Sequence, residues 1–255
     1  MKRFACFMVS AIILLSFLTV SAHEREYHFY IKRGKDHAPA KTDPAFDALL
    51  DDACFYRDAH AAENDEKRIY LTFDAGYENG NVAKILDILK KNSVTGAFFV
   101  LAHLIEAHPD LLARMKSEGH LICNHTARHK NMAHFDDAAF KAELGALEEI
   151  YTQKTGESLS KFYRPPEGSF SFSNIKTAKE MGYKTVFWSL AYCDWNDDVA
   201  PSREKAIEIL KKNTHNGAIV LLHPTSQINV DILQEMIDYW KQEGYVFCSL
   251  EEVGC

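Results

Sequence analysis

Short apolar runs alternate with helical patterns from residue 67 to the end of the chain, and this alternation constrains the fold most strongly. The runs are continuous apolar stretches, as in GAIVLLH at 217–223, and they do not alternate apolar with polar residues. Continuous runs are typical of strands that are buried on both faces, as in parallel sheets. The sequence therefore predicts seven strands, at 68–73, 96–100, 120–124, 161–164, 183–190, 217–223 and 245–250.

Helical patterns separate these strands. Apolar residues recur at helical spacing in six segments, at 82–91, 109–119, 135–156, 173–182, 202–213 and 230–244. Short connections between strands and helices indicate βαβ units and an α/β fold. An incomplete α/β barrel and a doubly wound open sheet both fit this pattern, because periodicity alone does not separate the two.

The first 22 residues have the plan of a secretory signal peptide. Lys2 and Arg3 precede an almost wholly apolar run at 4–20, and small residues suited to cleavage follow at 20–22. The alternative is an uncleaved membrane anchor, but the run is slightly short of the roughly 20 residues that span a bilayer. We therefore expect an exported protein, with membrane attachment only if this segment is retained.

Residues 23–66 are polar and irregular, and we expect them to form an N-terminal arm. One helix is predicted within the arm, at 43–52, where Asp43 can cap the first turn and Pro44 suits its first position. The remaining residues, 67–255, form the predicted main domain. A single α/β barrel often reaches this size.

The charge balance argues against nucleic acid as a partner. The whole chain has a formal net charge of -7, and removal of residues 1–22 leaves 27 basic and 36 acidic residues, a net charge of -9. An acidic chain of this kind is a poor nucleic-acid binder.

Five cysteines remain after removal of residues 1–22, so at least one thiol is unpaired. No CxxC pair occurs, which argues against a structural zinc site of that type. Cys123 and Cys193 are expected to be small buried residues within strands.

Five of the predicted strands run into a charged or titratable residue. These residues are Asp74, His125, Arg164, Asp194 and His223. In α/β barrels, reactive groups lie at the C-terminal ends of the strands. One such coincidence means little, but five on one face of a sheet indicate an assembled site.

His125 and His129 lie four residues apart. In a helical turn, side chains at this spacing share one face, and two imidazoles there can ligate one divalent cation. Most isolated pairs of this kind are surface or capping histidines. Directly after a buried strand, and with carboxylates expected nearby, metal ligation is favoured.

Three of the other strand-end residues, and Trp195 beside Asp194, have a structural alternative. Asp74 precedes Ala75 and Gly76 and is equally suited to an Asx turn or a helix cap. Arg164, before PPEG at 165–168, could form a surface salt bridge. A lone tryptophan such as Trp195 is more often core, and His223 could be a hydrogen-bonded core histidine.

The ordered motifs resemble those of the polysaccharide deacetylases, the NodB-homology proteins of carbohydrate esterase family 4. The motifs are TFDAG at 72–76, HTARH at 125–129, RPPEG at 164–168, DW at 194–195 and LLH at 221–223. Further segments, such as KRGKDHAPA at 32–40 and FWSLAYCDW at 187–195, are similar to delta-lactam-biosynthetic de-N-acetylases. The resemblance covers most of the chain, roughly residues 27–253.

This resemblance implies a distorted (β/α)7 barrel of the NodB-homology type, preceded by a short N-terminal arm. It implies a hydrolase that removes the N-acetyl group from N-acetylmuramic acid in peptidoglycan, as a step toward muramic delta-lactam in the spore cortex. The expected partner is a peptidoglycan glycan strand, the expected location is the cell wall or another extracytoplasmic site, and we expect a monomer.

The resemblance also implies catalytic roles. Asp74 would be the general base that activates water, with Arg164 orienting the carboxylate and holding it ionised. His223 would be the general acid that protonates the departing amine, with Asp194 keeping the imidazole protonated.

A divalent metal, Zn or similar, would be ligated by His125 and His129, and the substrate would contact Glu167 and Trp195. A backbone N–H near Glu167 would help to stabilise the oxyanion. Most of the family has a second aspartate after the first, as a metal ligand. Ala75 occupies that position here and has no ligand atom, so the metal is expected to be weakly held or dispensable.

Two other functions stay open. One is deacetylation of another N-acetylated glycan, chitin-type or N-acetylglucosamine in peptidoglycan. The other is a catalytically weak barrel that binds cell-wall glycan, which Ala75 favours. The intact set of Asp74, Arg164, Asp194 and His223 argues against the binding barrel, because a binder needs no base and acid.

Overall fold

Residues 25–196 and 198–254 are described by a computed structural model. The predicted signal segment at 1–22 lies outside these residues. Within the described part of the chain, no helix is both long and apolar enough to cross a membrane.

The strands include all seven that the sequence predicts. They are β1 (Tyr27–His28), β2 (Cys54–Phe55), β3 (Arg68–Ala75), β4 (Ala97–Val100), β5 (Leu121–Asn124), β6 (Ser160–Tyr163), β7 (Ser169–Phe170), β8 (Lys184–Val186), β9 (Ala218–Leu222) and β10 (Val246–Phe247). β1, β2 and β7 are short additions. β8 is shorter than the predicted 183–190: regular strand pairing ends at Val186, and only an isolated bridge at Leu190 follows.

The six helices predicted for the main domain are all present. The helices are α1 (Ala59–Glu63), α2 (Val82–Asn92), α3 (Ala102–Ala107), α4 (Pro109–Ser117), α5 (Asp137–Thr155), α6 (Phe172–Glu180), α7 (Arg203–Asn213) and α8 (Gln227–Gln242). The helix predicted at 43–52 is a 3₁₀ helix at Pro44–Leu49. α5 is capped at its start by the Asp136 side chain and ends at left-handed Gly156, with φ of 75°, where the sequence predicts its C-cap.

The main sheet is parallel and curls back on itself. The strand order is β10-β3-β4-β5-β6-β8-β2, and β9 also pairs with β3. An isolated parallel bridge between Leu190 and Val220 joins the segment after β8 to β9. The predicted distorted (β/α)7 barrel is therefore confirmed, and the open doubly wound sheet is wrong.

Alternation along β3 separates the helix-facing core from the inside of the barrel. Ile69, Leu71 and Phe73 belong to the main core cluster, which also contains helix residues such as Leu86 and Trp240. The intervening side chains point the other way, where a second cluster consists mainly of strand residues. Asp74 therefore reaches the inner face at the C-terminal end of β3.

The N-terminal arm lies against the loop that follows β6. β1 pairs with β7 in antiparallel fashion, and the Phe29 N–H donates to the Gly168 carbonyl at 2.9 Å. The Phe29 ring stacks on Phe187, with centroids 4.3 Å apart. Lys32 and Lys41 form an antiparallel bridge, so the arm folds back on itself beside the C-terminal ends of the strands.

Gly168 permits this close approach. Its φ is +67°, a left-handed conformation that disfavours side chains. A Cβ atom at this position would lie 2.9 Å from the Trp188 ring and 3.4 Å from the Phe29 Cβ. The seating of the arm therefore depends on a glycine here.

The described cysteines, Cys54, Cys123, Cys193 and Cys248, are all free thiols. Cys123 is buried in β5, as expected. The prediction for Cys193 is wrong: it is half-buried and follows the point where the chain has left β8.

Candidate active site

A buried ion pair between Arg164 and Asp74 occupies the end of β3. Arg164 Nη1 donates to Asp74 Oδ1 at 2.8 Å, and the Arg164 side chain is 0% exposed. Three more guanidinium N–H groups donate to the carbonyls of Val186 and Phe187 and to Thr72 Oγ1, at 3.0, 3.1 and 2.9 Å. The surface salt bridge considered for Arg164 is therefore wrong, and its guanidinium is fixed on all sides.

This surrounding charge keeps Asp74 ionised. Burial alone would raise the pKa of the Asp74 carboxyl, but the positive charge of Arg164, with smaller contributions from His125 and His223, holds that pKa below its ordinary value. Because burial lowers the pKa of His125 to about 4, that imidazole is neutral near pH 7. At neutral pH, Arg164 is therefore the main cause of the lowered pKa of Asp74.

His125 is held in one orientation beside Asp74. Its Nδ1 lies 2.9 Å from the Arg164 carbonyl oxygen, which can only accept, so Nδ1 carries the proton. The Nε2 atom then has a free lone pair and lies 3.6 Å from Asp74 Oδ2. This tautomer is the one that suits metal ligation.

His129 approaches His125 through a loop. The predicted helical turn is wrong, because Thr126 and His129 have φ of 72° and 54° and no helix forms there. The two rings nevertheless meet, with centroids 5.0 Å apart. The buried Glu143 carboxylate fixes this loop by accepting from the Arg128 N–H at 2.8 Å and from its guanidinium.

Asp194 and His223 form the second coupled pair. Asp194 Oδ1 accepts from His223 Nδ1 at 2.7 Å, and Oδ2 accepts from the His223 backbone N–H at 2.8 Å. Asn229, fully buried on α8, donates to Asp194 Oδ2 at 2.6 Å and to the His223 carbonyl at 2.9 Å. Tyr192 completes the chain by donating to Asn229 Oδ1 at 2.5 Å.

This network favours the charged form of His223. Burial alone would lower the pKa of His223, but the hydrogen bond and charge of Asp194, with the charge of Asp74, raise that pKa above its ordinary value. With Nδ1 bonded to Asp194, Nε2 is the ring nitrogen left for a substrate.

Both pairs meet at one cavity of about 410 Å³, here called the reaction pocket. It is lined by Asp74, His129, Glu167, Gly168, Trp188, Trp195, Leu221 and His223. Arg164, His125 and Asp194 are buried at 0–2% exposure. The structure thus brings all eight predicted site residues to one end of the barrel.

Glu167 and Trp195 form the open rim of the reaction pocket. Trp195 is 65% exposed, so it is not a core residue, and its ring centroid lies 6.1 Å from that of His223. Glu167 is exposed and has a left-handed backbone, with φ of 59°. Both side chains are accessible to a bound glycan.

His125 and His129 could hold a divalent metal as a two-histidine half-site, because their rings lie side by side. Imidazole nitrogens suit Zn²⁺ or a similar divalent cation. Across residues 25–196 and 198–254, however, no group of three or more His, Cys, Asp or Glu side chains is placed to hold a metal ion. Ala75 packs in the helix-facing core and offers no ligand atom.

Several residues of this site were not predicted. Thr72, Glu143, Tyr192 and Asn229 are polar groups that reach the site only through contacts with residues distant in sequence. The pattern around Asn229 predicts only the start of a helix. Thr72 and Tyr192 lie within the motifs TFDAG and FWSLAYCDW, which give the only signal for them, whereas Glu143 and Asn229 lie outside all the motifs.

Comparison with known proteins agrees with the motifs. Residues 61–186 match a family model described as polysaccharide deacetylase. The peptidoglycan-N-acetylmuramic acid deacetylase PdaA of Bacillus subtilis is 38% identical over 222 residues, which cover 87% of this chain and 83% of PdaA. A peptidoglycan-N-acetylglucosamine deacetylase of Bacillus cereus is 32% identical over 199 residues, covering 76% of this chain and 71% of that protein.

The fold agrees equally well. The solved structure of Bacillus subtilis PdaA, described as a family 4 carbohydrate esterase, has a TM-score of 0.83 and 37% identity, covering 89% of this chain and 96% of that one. The barrel, the family match and these relatives together place the chain in the class of carbohydrate de-N-acetylases. This chain belongs to the polysaccharide deacetylase family, carbohydrate esterase family 4.

Proposed function

We propose that this enzyme removes the N-acetyl group from N-acetylmuramic acid in peptidoglycan, as a step toward muramic delta-lactam in the spore cortex. One observation carries the proposal: a carboxylate paired with Arg164 and an imidazole paired with Asp194 face the same pocket, and each partner favours the charged form of the group that it contacts. The 38% identity to a protein named for muramic acid deacetylation supports the choice of sugar.

Asp74 acts as the general base. Arg164 fixes Oδ1, so Oδ2 is left to take a proton from the water that attacks the acetamide carbonyl. Because a low pKa makes Asp74 a weak base, accurate positioning of the water accounts for much of its contribution.

His223 acts as the general acid. When the tetrahedral intermediate collapses, the C–N bond breaks and its electron pair returns to nitrogen. The His223 Nε2 proton passes to that nitrogen, which makes the amine a good leaving group. Acetate and a free amino sugar result, and proton exchange with solvent restores Asp74 and His223.

Two further groups suit the developing negative charge on the carbonyl oxygen. Glu167 lines the reaction pocket, and a backbone N–H near it would serve as an oxyanion donor. His125 and His129 would hold a divalent metal, which supplies polarisation of the carbonyl and acidification of water when bound.

Deacetylation of N-acetylglucosamine is the second candidate. It is favoured by the 32% identity to the Bacillus cereus enzyme named for that sugar. A glycan-binding barrel without turnover is less well supported, because binding alone gives no reason to tune the pKa of Asp74 and His223 in opposite directions. We also propose that the protein acts outside the cytoplasm. Its relatives are named for deacetylation of peptidoglycan, which lies outside the cytoplasm.

The test is release of acetate from glycan strands that lack stem peptides, with product masses measured. We expect loss of one acetyl group per modified muramic residue. Asp74→Asn and His223→Ala should each lower kcat by about 10²- to 10⁴-fold. His60→Ala, at an exposed histidine on α1, is the matched control and should keep full activity.

Other outcomes would redirect the proposal. If the enzyme deacetylates chitin oligomers but not the muramic glycan, the alternative substrate is favoured. Binding of the glycan without acetate release at any metal concentration would favour the binding barrel.

A further inference from the structure

A second cavity adjoins the reaction pocket on the side of the N-terminal arm. It has a volume of about 540 Å³ and is here called the arm pocket. The two cavities share a wall made by Trp188, Trp195, Leu221 and His223. Ile31 and Arg33 of the arm form part of the remaining wall. The two pockets are therefore parts of one cleft, and the arm borders it.

Arg33 makes the arm pocket electropositive. The lining contains no acidic residue, and its basic side chains are Arg33 and His223. Arg33 Nη2 donates to the Ala191 carbonyl at 3.2 Å, and within residues 25–196 and 198–254 the guanidinium has no carboxylate at ion-pair distance. An accessible cation in an otherwise acidic protein, with a net charge of -7, indicates an anionic ligand group.

The arm holds Arg33 in place. Lys32, directly before it, forms the antiparallel bridge with Lys41. Further upstream, the arm is fixed by the Phe29 hydrogen bond to Gly168 and by the stacking of Phe29 on Phe187. The backbone at Arg33 is therefore ordered before substrate binds, which lowers the entropic cost of the contact.

We infer that Arg33 binds the carboxylate of the 3-O-lactyl group on the muramic residue that is deacetylated. This inference rests on the proposed function. The lactyl ether is on the ring carbon next to the one that bears the acetamide, so its carboxylate must lie within one sugar ring of the reacting carbonyl. With that carbonyl at His223, the adjoining arm pocket is the space that offers a cation.

The chemistry of the arm pocket fits the lactyl group in two ways. An arginine can donate two parallel N–H bonds to a carboxylate. Ile31 and Trp188 give an apolar surface for the lactyl methyl group. N-acetylglucosamine has only a hydroxyl group at the same carbon, so the arm would select muramic acid over it.

The experiment compares Arg33→Gln with the wild-type enzyme on two substrates. The first is stem-peptide-free glycan with free lactyl carboxylates, and the second is the same glycan with those carboxylates converted to methylamides. We expect Arg33→Gln to raise KM about tenfold on the acid and less than twofold on the amide, with kcat nearly unchanged. On the acid substrate, the KM of Arg33→Lys should lie between those of the wild-type enzyme and Arg33→Gln.

Lys35→Gln is the matched control, because Lys35 is an exposed cation of the same arm that does not line either pocket. It should change KM less than twofold on both substrates. Three outcomes would overturn this inference but not the proposed function. They are an equal rise in KM on acid and amide for Arg33→Gln, no change in KM on either substrate for Arg33→Gln, and a rise in KM for Lys35→Gln as large as that for Arg33→Gln. Failure of the wild-type enzyme to release acetate from the muramic glycan would overturn the proposed function and this inference together.

Discussion

Asp194→Asn removes the charge beside His223 while keeping the size of the side chain. Asp194 Oδ1 and His223 Nδ1 are 2.7 Å apart. At an effective dielectric constant of about 20, unit charges at that separation attract by about 6 kcal/mol. The His223 side chain is 24% exposed, and the cost of burying both charges offsets part of the attraction, so we take roughly 3 kcal/mol as the net stabilisation of the imidazolium.

That magnitude predicts about a hundredfold lower kcat/KM near neutral pH, at about 1.4 kcal/mol for each tenfold. The assay is acetate release across a pH series. Because the folded pKa of His223 is raised, its acid form is present below that pKa and is lost as pH rises through it. In Asp194→Asn the alkaline fall in activity should move to lower pH, so the loss is larger in alkaline than in mildly acidic buffer.

An equal loss at every pH, with an unmoved alkaline limb, would refute this reasoning. It would mean that Asp194 acts through local structure and not through the protonation of His223. Asp198→Asn, at an exposed aspartate of the same loop, is the matched control and should leave the profile unchanged.

Three further predictions concern the supporting structure. Asn229→Ala removes a donor from buried Asp194 and should lower kcat/KM about tenfold; acetate release measures this, and the effect should vanish in a His223→Ala background, whereas a persistent loss would contradict it. Gly168→Ala should lower the free energy of unfolding in urea by about 1–2 kcal/mol more than Gly156→Ala does. Both glycines have positive φ, but only at Gly168 would a Cβ atom lie against a neighbouring ring. Equal losses of stability would contradict the clash. Chelation of divalent metal should lower kcat less than about a hundredfold, and re-added Zn²⁺ should restore activity only at micromolar or higher concentrations. The reason is that the half-site has two histidines and no third ligand among the described residues. Complete loss of activity on chelation, with recovery at nanomolar Zn²⁺, would contradict this prediction.

The strand pattern and the edge that carries the site were predictable from the sequence. Strands buried on both faces require continuous apolar runs, so all seven left a local signature. The C-terminal ends of parallel strands lie at the same end of a barrel. The sequence alone therefore predicts that residues which follow the strands, such as Asp74, Arg164 and His223, lie close together.

Loop conformations were not predictable in the same way. The spacing of His125 and His129 suggested a helical turn, but positive φ at Thr126 and His129 produces a bent loop instead. Glu143, which fixes that loop, lies on α5 and leaves no mark near the histidines. The early end of β8 likewise left no mark in the continuous apolar run that predicted a strand at 183–190.

The sequence by itself determined the order of strands and helices, the family motifs and the absence of a ligand atom at Ala75. Only the tertiary structure decided the directions in which the pKa values of Asp74 and His223 shift and the position of Arg33 in the arm pocket. The Asp74–Arg164 contact joins residues 90 positions apart, and the Arg33–Ala191 contact joins residues 158 apart. A pKa and a pocket both depend on distances in space and on burial, and those are set only when the barrel closes.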